Sequence, residues 1–310
     1  MLGADAAGIT KAAALLRAGG LVAFPTETVF GLGADATSDQ AVAKIYAAKG
    51  RPAFNPLIAH VGSRAAAEAQ GRFSVQAMAL AEAFWPGPLT LVMPLAEAAT
   101  VCNLARAGLD SVALRVPSHP VARALLAAVR RPLAAPSANP SGRVSAVTAA
   151  HVREDFDGQI DAIIDGAVEV GIESTIVACL TDMPMLLRPG GIPREAIEAV
   201  LGAKLKAEAP NAAIRAPGML AAHYAPRARV RLDALHLAPG EAGLDFGGRF
   251  VPGPRVLDLS PRGDLMEAAA HLFVYLRTLD AHHVAIAVAP IPNEGLGEAI
   301  NDRLQRAAVR

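Results

Sequence analysis

AAKGRPAFNPLIAHV, residues 47–61, decides how the chain is read. Ala47 and Ala48 close a helix, which breaks at Lys49, Gly50, Arg51 and Pro52; after Asn55 and Pro56 comes the apolar run Leu57-Ile58-Ala59-His60-Val61. An apolar run of this length bounded by turn formers is the pattern of a buried strand. Helix, stiff loop and strand in so short a span belong to a sheet with helices packed on it. The loop also sets two cations two positions apart, with Pro52 and Pro56 removing backbone freedom around them. Such a loop either decorates the surface or holds an anion.

The same alternation continues outward. Between residues 9 and 200 the pattern predicts strands at Leu21–Phe24, Leu57–Val61, Thr90–Met93, Val112–Val116, Leu133–Ala135, Ala162–Ile164, Thr175–Leu180 and Met185–Arg188. Helices are predicted at Lys11–Ala18, Asp39–Ala48, Val75–Phe84, Val121–Val129 and Arg194–Leu201, with Ser38 as N-cap of the second. After Leu201 the composition shifts, and Pro217-Gly218 punctuates a loop. Beyond it a strand at Arg255–Leu259, a helix at Leu265–Leu279, a strand at Val284–Ala289 and a helix at Leu296–Ala308 suggest a small parallel, Rossmann-like unit. The expected domains are therefore 1–204, a linker at 205–227, and 228–310.

Composition sets limits on function. The 310 residues are 53% hydrophobic and 19% charged, enough for a buried core, and their formal net charge is zero. No global field draws the protein to nucleic acid or an anionic membrane, so any basic site is local. Cys102 and Cys179, the only cysteines, cannot build a disulfide framework or a four-cysteine zinc site, and they fit a reducing cytosol. No stretch approaches the ~18 apolar residues of a membrane span. A soluble cytoplasmic protein is expected.

The familiar nucleotide motifs fail. No Gly-Lys pair exists for a Walker loop. Gly31-Leu32-Gly33-Ala34-Asp35-Ala36 matches a dinucleotide fingerprint only loosely, because Pro25 to Phe30 separate it from its strand and Arg51 stands where an acid belongs. Other segments carry chemistry at strand ends. Thr26-Glu27-Thr28, after Pro25, either bonds local backbone or presents hydroxyls and a carboxylate to a ligand. Lys49 and Arg51 complement a helix C-terminus or, as ammonium beside guanidinium fork, a polyphosphate. Arg115 sits inside an apolar strand and needs an anion, whether Glu, Asp or a substrate carboxylate. Pro136-Ser137-Ala138-Asn139-Pro140-Ser141-Gly142 follows a strand end, where open α/β sheets place ligands. Glu173-Ser174-Thr175 and Leu187-Arg188-Pro189-Gly190-Gly191 add a further serine and arginine. Together these suit an anionic ligand such as a nucleoside triphosphate with a carboxylate-bearing small molecule.

The segments FPTETVFGLG, AKGRPAFNPLIAHV, FWPGPLTLV, VALRVPSHPVA, APSANPSG, ESTIV, LLRPGGI and PGM…HYAP, with GLGEAINDRLQRAA near the end, resemble the two-domain branch of the threonylcarbamoyl-AMP synthase (YrdC-like) family. The resemblance implies a YrdC-like twisted mixed α/β sheet with packed helices, plus a small Rossmann-like C-terminal domain. It implies ATP, L-threonine and bicarbonate as substrates, Mg2+ accompanying ATP, and threonylcarbamoyl-AMP and pyrophosphate as products. The product would pass to a tRNA threonylcarbamoyltransferase complex, with tRNA itself bound weakly or indirectly. Carried over by position, Thr28, His60, Arg115, Ala135 and Ser174 would line the threonine site. Arg51, Asn55, Ser111, Ser137, Ser145, Arg188 and His223 would contact the nucleotide, with Lys49 and Arg51 stabilising the departing pyrophosphate. A non-enzymatic RNA-binding module is disfavoured by the zero net charge, and a carbamoyl-transferring maturation factor by the lack of cysteines for its zinc modules.

Overall fold

The computed structural model describes residues 1–207 and 224–309. In chain order the elements are α1 Ala6–Arg17, β1 Val22–Pro25, β2 Phe30–Asp35, α2 Asp39–Lys49, β3 Ile58–His60, α3 Arg64–Glu68, α4 Val75–Phe84, β4 Leu89–Pro94, β5 Ser111–Arg115 and α5 Pro120–Val129. Then follow β6 Leu133–Ala134, α6 Ala149–Phe156, β7 Ala162–Ile163, β8 Thr175–Ala178, β9 Met185–Arg188, α7 Arg194–Leu201 and β10 Lys206–Ala207. The C-terminal part holds β11 Arg229–Arg231, β12 Ala242–Asp245, β13 Val256–Asp258, α8 Leu265–His282, β14 Ala285–Val288 and α9 Leu296–Ala308.

The first sheet has ten strands in the order β10-β9-β8-β4-β5-β3-β6-β2-β1-β7 and mixes parallel with antiparallel pairs. Its helices sit where the sequence supplies caps: Asp5, Ser38, Ser74 and Thr148 each accept a backbone N–H at the start of a helix. Helices α2 and α4 cover one face with a core that includes Ile45, Leu80, Leu91 and Leu114, while α1 and α5 pack on β1 through Leu16, Val22, Phe24 and Leu125. The smaller apolar cluster of Ile58, Val92, Ala113, Ile176 and Leu187 involves residues that alternate with core positions along the central strands. That second face is where the polar residues gather.

Predicted elements recur with shifts of a few residues at their ends, but β2 was not anticipated. FGLGAD has two glycines and few strand formers. The glycine at 33 is required by packing, since a Cβ there would lie 2.7 Å from the Phe24 ring in the antiparallel β1–β2 pair. The loose dinucleotide fingerprint is thus a strand, with no helix opening from it. Helix α6 and the short β11 and β12 were also unmarked by the pattern.

The second sheet, β11-β14-β12-β13, is entirely parallel. Strand β10 pairs with β9, so the large sheet continues past the boundary read at 204. The two parts share a continuous apolar cluster: Val29, Val144, Val147 and Ile172 pack with Phe273, Leu272, Ile300 and Tyr224. Polar ties reinforce it, with Arg194 against Glu298 and Arg277 against Asp155. At Gly171, φ is +77° and a Cβ would stand 2.5 Å from backbone atoms of Ala269 and Ala270 in α8. Gly171→Ala should therefore wedge the parts apart and lower Tm by roughly 5 °C. An unchanged Tm in scanning calorimetry would show that this contact is not tight.

Candidate active site

The opening loop leaves α2 through Gly50, whose left-handed φ of 59° ends the helix. Arg51 then folds back on its own loop, donating from Nε to the Asn55 carbonyl at 3.1 Å and from Nη2 to the Pro56 carbonyl at 2.9 Å. It is only 8% exposed and lines an internal cavity. Asn55 is fully buried, and neither side-chain Oδ1 nor Nδ2 has a partner among the described residues. A buried amide left this way costs on the order of 1–3 kcal/mol per group, which a polar ligand would relieve. Lys49 departs from expectation. Its Nζ donates to the Ser137 carbonyl at 2.5 Å and to that of Asn139, and its own carbonyl accepts from Ser141 N at 2.8 Å. It therefore fastens the serine-rich loop from behind and is not among the cavity-lining residues.

The rest of the site rises from the sheet. His60 and Arg115 are register partners on parallel β3 and β5. Arg115 meets Glu27 at 2.7 Å, with both side chains buried, and donates to Thr28 Oγ1 at 3.0 Å. The structural partner foreseen for this arginine is thus present, supplied by the Thr26-Glu27-Thr28 turn. That turn splits its work: Thr26 Oγ1 bonds locally to Val29 O at 2.6 Å, while Glu27 and Thr28 serve Arg115. Ser174 shares a 2.8 Å hydroxyl contact with Thr90. On β9 a register shift sets Arg188 opposite Ile176 and Leu186 opposite Val177, leaving Leu187 as the extra residue. This bulge re-aims Arg188, which plain alternation would keep on the core face with Leu186. Arg188 instead lines the cavity and donates to the Ser174 carbonyl at 2.8 Å. Gly190 makes this possible, because a Cβ there would fall 2.4 Å from backbone at Glu173 and Thr175.

The cavity thus gathers Thr28, Arg51, His60, Arg115, Ala135, Ser137, Ser174 and Arg188 from segments spread along the chain. Ser145 stands behind it, its hydroxyl donating to Glu173 at 2.5 Å. Ser111 does not join them: it begins β5, opposite Pro94, four residues and roughly 13 Å from Arg115. His223 and the preceding linker motif lie outside the described residues. The cavity also takes Glu173 and Tyr224, which the sequence did not single out as ligand-site residues. A larger groove of about 700 Å3 runs past Thr37, Gln70, Leu126, Arg130 and Arg131, against about 40 Å3 here. Size does not settle the matter. The groove's two arginines are exposed, and one is paired with Asp35, whereas the smaller cavity buries its charges.

Electrostatics separate these groups. Burial, then Arg115, pushes His60 down to about 3 against a weaker pull from Glu27, so its imidazole is neutral at physiological pH. Burial would raise Glu27, but Arg115 outweighs it and holds the carboxyl at about 2. Burial pulls Arg51 down to about 10 and lowers Arg188 as well. Burial also takes Lys49 well below its ordinary value, with Arg51 adding to the effect.

Fold and site together define an α/β protein with a cavity lined by buried guanidiniums. Residues 14–190 match the family model described as telomere recombination, and residues 192–309 match that of the threonylcarbamoyl-AMP synthase C-terminal domain. The chain is 41% identical to the threonylcarbamoyl-AMP synthase of Bacillus subtilis, over 97% of this chain and 92% of the relative. It is 42% identical to that of Pyrococcus abyssi, over 97% and 94%. The crystal structure of P. abyssi Sua5 complexed with L-threonine superposes with a TM-score of 0.90 at 39% identity, covering 98% of this chain and 95% of that one. The chain belongs to the threonylcarbamoyl-AMP synthase family and is an enzyme of the nucleotidyltransferase type.

The His60 shift has a definite sign. Between its unfolded value of 6.5 and about 3, the unfolded chain binds a proton that the native state refuses, so stability falls as pH falls through that window. Glu27 works in a lower window: its contribution is complete above 4.5 and is lost as pH drops toward 2. Wild type should therefore lose up to about 1.4 kcal/mol more per pH unit than His60→Gln between pH 6.5 and 4.5. Parallel slopes in denaturant titrations, or an imidazole resonance of His60 that titrates near pH 6.5, would contradict this burial.

Proposed function

We propose that the cavity of Arg51, Arg115 and Arg188 is where the enzyme forms L-threonylcarbamoyladenylate from L-threonine, bicarbonate and ATP. The observation that carries the reading is the burial of three guanidiniums in one cavity beside Asn55, a buried amide with both polar atoms unpartnered among the described residues. Thr28, His60, Arg115, Ala135 and Ser174 take the amino acid. Arg115 is held by Glu27 at 2.7 Å and so offers its remaining donor capacity in a fixed direction to the threonine carboxylate. Neutral His60 serves as a hydrogen-bonding partner and not as a second cation. Arg51, Asn55, Ser137, Ser145 and Arg188 take the nucleotide, with His223 of the linker assigned to it by family position.

The threonine amine captures bicarbonate, releasing water and forming the N-carboxylate. A carbamate oxygen then attacks the α-phosphorus of ATP; the bond to the β-phosphate oxygen breaks, and pyrophosphate leaves. No side-chain nucleophile is required. Arg51 and Arg188 work by placing the triphosphate and stabilising the charge that grows on the leaving group. Lys49 contributes through the Ser137–Ser141 loop that it fastens.

Mg2+ would be carried by the triphosphate. Glu27 and Glu173, the carboxylates beside the cavity, are each committed to an arginine, and no cluster of three metal-ligating side chains forms among the described residues. The mixed anhydride passes to a transferase that modifies tRNA, and zero net charge favours weak or indirect contact with the tRNA itself. Among the described residues no helix is long and apolar enough to cross a membrane, and both cysteines are free, in keeping with work in the cytoplasm.

Incubation with all three substrates should yield the adenylate by mass spectrometry and release pyrophosphate only when threonine and bicarbonate are both present. Arg51→Ala should lower kcat/KM by about 100-fold or more, a loss typical of removing a transition-state donor; near-normal turnover would remove it from the phosphate site. Arg115→Gln should raise the KM for threonine by at least about tenfold while that for ATP stays within about threefold. Equal rises in both would detach Arg115 from the amino acid.

A further inference from the structure

Helix α9 of the C-terminal domain sends one arginine into the catalytic domain. Arg303 has 0% exposure and is the largest fully buried side chain among the described residues. Its Nε donates to Glu173 at 2.9 Å, and its Nη1 donates to the Pro189 carbonyl at 2.8 Å and to Asp302 at 2.7 Å. Its guanidinium carbon lies 5.2 Å from the centre of the Tyr224 ring, a cation–π distance. Every one of these contacts but Asp302 is at the cavity edge: Glu173 and Tyr224 line it, and Pro189 directly follows Arg188. A second helix of the same domain supports the same corner. Arg277 of α8 donates to the Val144 carbonyl at 2.7 Å and the Ser145 carbonyl at 3.3 Å, and the Ser145 hydroxyl donates to Glu173.

Glu173 is the key to what this arrangement does. Its carboxylate faces the cavity proposed to take the nucleotide, a placement that by itself would repel phosphate and draw Arg188, whose charge already acts on it. Arg303 answers that charge from the far side with a direct ion pair. Arg188 itself donates to the Ser174 carbonyl and hydroxyl. Without Arg303, the carboxylate is buried beside Arg188 with only the Ser145 hydroxyl bonded to it, and collapse of Glu173 onto Arg188 is the nearest electrostatic remedy.

We propose that Arg303 is a positioning residue for nucleotide binding: it neutralises Glu173 and thereby keeps Arg188 directed at the phosphates. The C-terminal domain, on this view, completes the nucleotide half of the site from behind while leaving the threonine half to the catalytic domain. The proposal rests on the assignment of ATP to the Arg188 side.

The test uses the full chain. Arg303→Gln should raise the KM for ATP tenfold or more in threonine- and bicarbonate-dependent pyrophosphate release, while the Kd for L-threonine alone, by calorimetry, stays within threefold. The added change Glu173→Gln in that background should recover at least half of the lost ATP affinity on a logarithmic scale, because it removes the uncompensated charge. Arg303→Lys, which keeps the charge, should fall between wild type and Arg303→Gln. A parallel loss of ATP and threonine affinity, or no rescue in the double variant, would overturn the proposal and leave Arg303 a domain anchor. If Arg303→Gln fails to fold, the comparison moves to the double variant against Arg303→Lys: weaker ATP binding in the double variant than in Arg303→Lys would likewise reject the charge-balancing role, and equal or tighter binding would uphold it. Arg188→Ala serves as the separate control on the assignment beneath: an unchanged KM for ATP there defeats that assignment, whereas a raised KM there with wild-type behaviour in Arg303→Gln defeats the proposal alone.

Discussion

Positive charge buried under a sheet is the constraint around which this molecule is arranged. Arg51, Arg115, Arg188 and Arg303 are all under 9% exposed, and a guanidinium in such a place needs a counter-charge or a full set of acceptors. The protein divides them. Arg115 and Arg303 receive a carboxylate each, from Glu27 and Glu173. Arg51 donates to the carbonyls of Asn55 and Pro56, and Arg188 to the carbonyl and hydroxyl of Ser174. The titration directions follow the division. Burial opposes the charge of Arg303 too, but Tyr224, Glu173 and Asp302 more than offset it, whereas burial prevails at Arg51 and Arg188. Electrostatic free energy is thus held in reserve at the two positions assigned to phosphate, and a bound anion would release it.

This division explains the rigidity of the surroundings. A buried cation moves toward any acceptor that its side chain can reach, so its neighbours must be fixed. At Arg51 the left-handed Gly50, the two prolines and the Lys49 clamp on the Ser137 and Asn139 carbonyls do this. At Arg188 a β-bulge and the close approach of Gly190 do it. At Arg115 the Thr26 turn presents Glu27 from below. Preorganised donors of this kind are effective because they do not have to reorient when charge develops on a ligand.

What the sequence made legible follows from the range of each interaction. Local ones were readable: Ser38 caps α2, the Leu57–Val61 run contains β3, and the two cations where α2 ends, Lys49 and Arg51, are both buried. Strand-end polar residues such as Thr28, Ser137, Ser174 and Arg188 could be marked because their types clash with apolar runs, and the topology brings them to one cavity. Lys49 turns elsewhere than that local evidence suggests, to the Ser137 and Asn139 carbonyls. Nothing within the loop reveals that its ammonium meets carbonyls about ninety positions away. β2 was hidden because its glycines answer to Phe24 on the neighbouring strand and not to strand propensity. Glu173 and Arg303 are 130 residues apart, and each alone reads as an ordinary charged residue. Their meaning exists only in the pair.

The C-terminal sheet illustrates a last consequence. Four parallel strands with α8 and α9 could stand as a unit, yet their core cluster takes in Val29, Val144, Val147 and Ile172 from the first domain. Val29 is the residue after Thr28, and Val144 precedes Ser145, so the shared apolar contact lies directly behind two groups of the site. Apolar burial of this kind is non-directional and sets no angle. The arginines of α8 and α9 supply the direction that hydrophobic contact lacks, because a guanidinium fork fixes its acceptors in a plane. Docking by the core and alignment by Arg277 and Arg303 are separable, and it is the second that reaches Ser145 and Glu173 at the cavity.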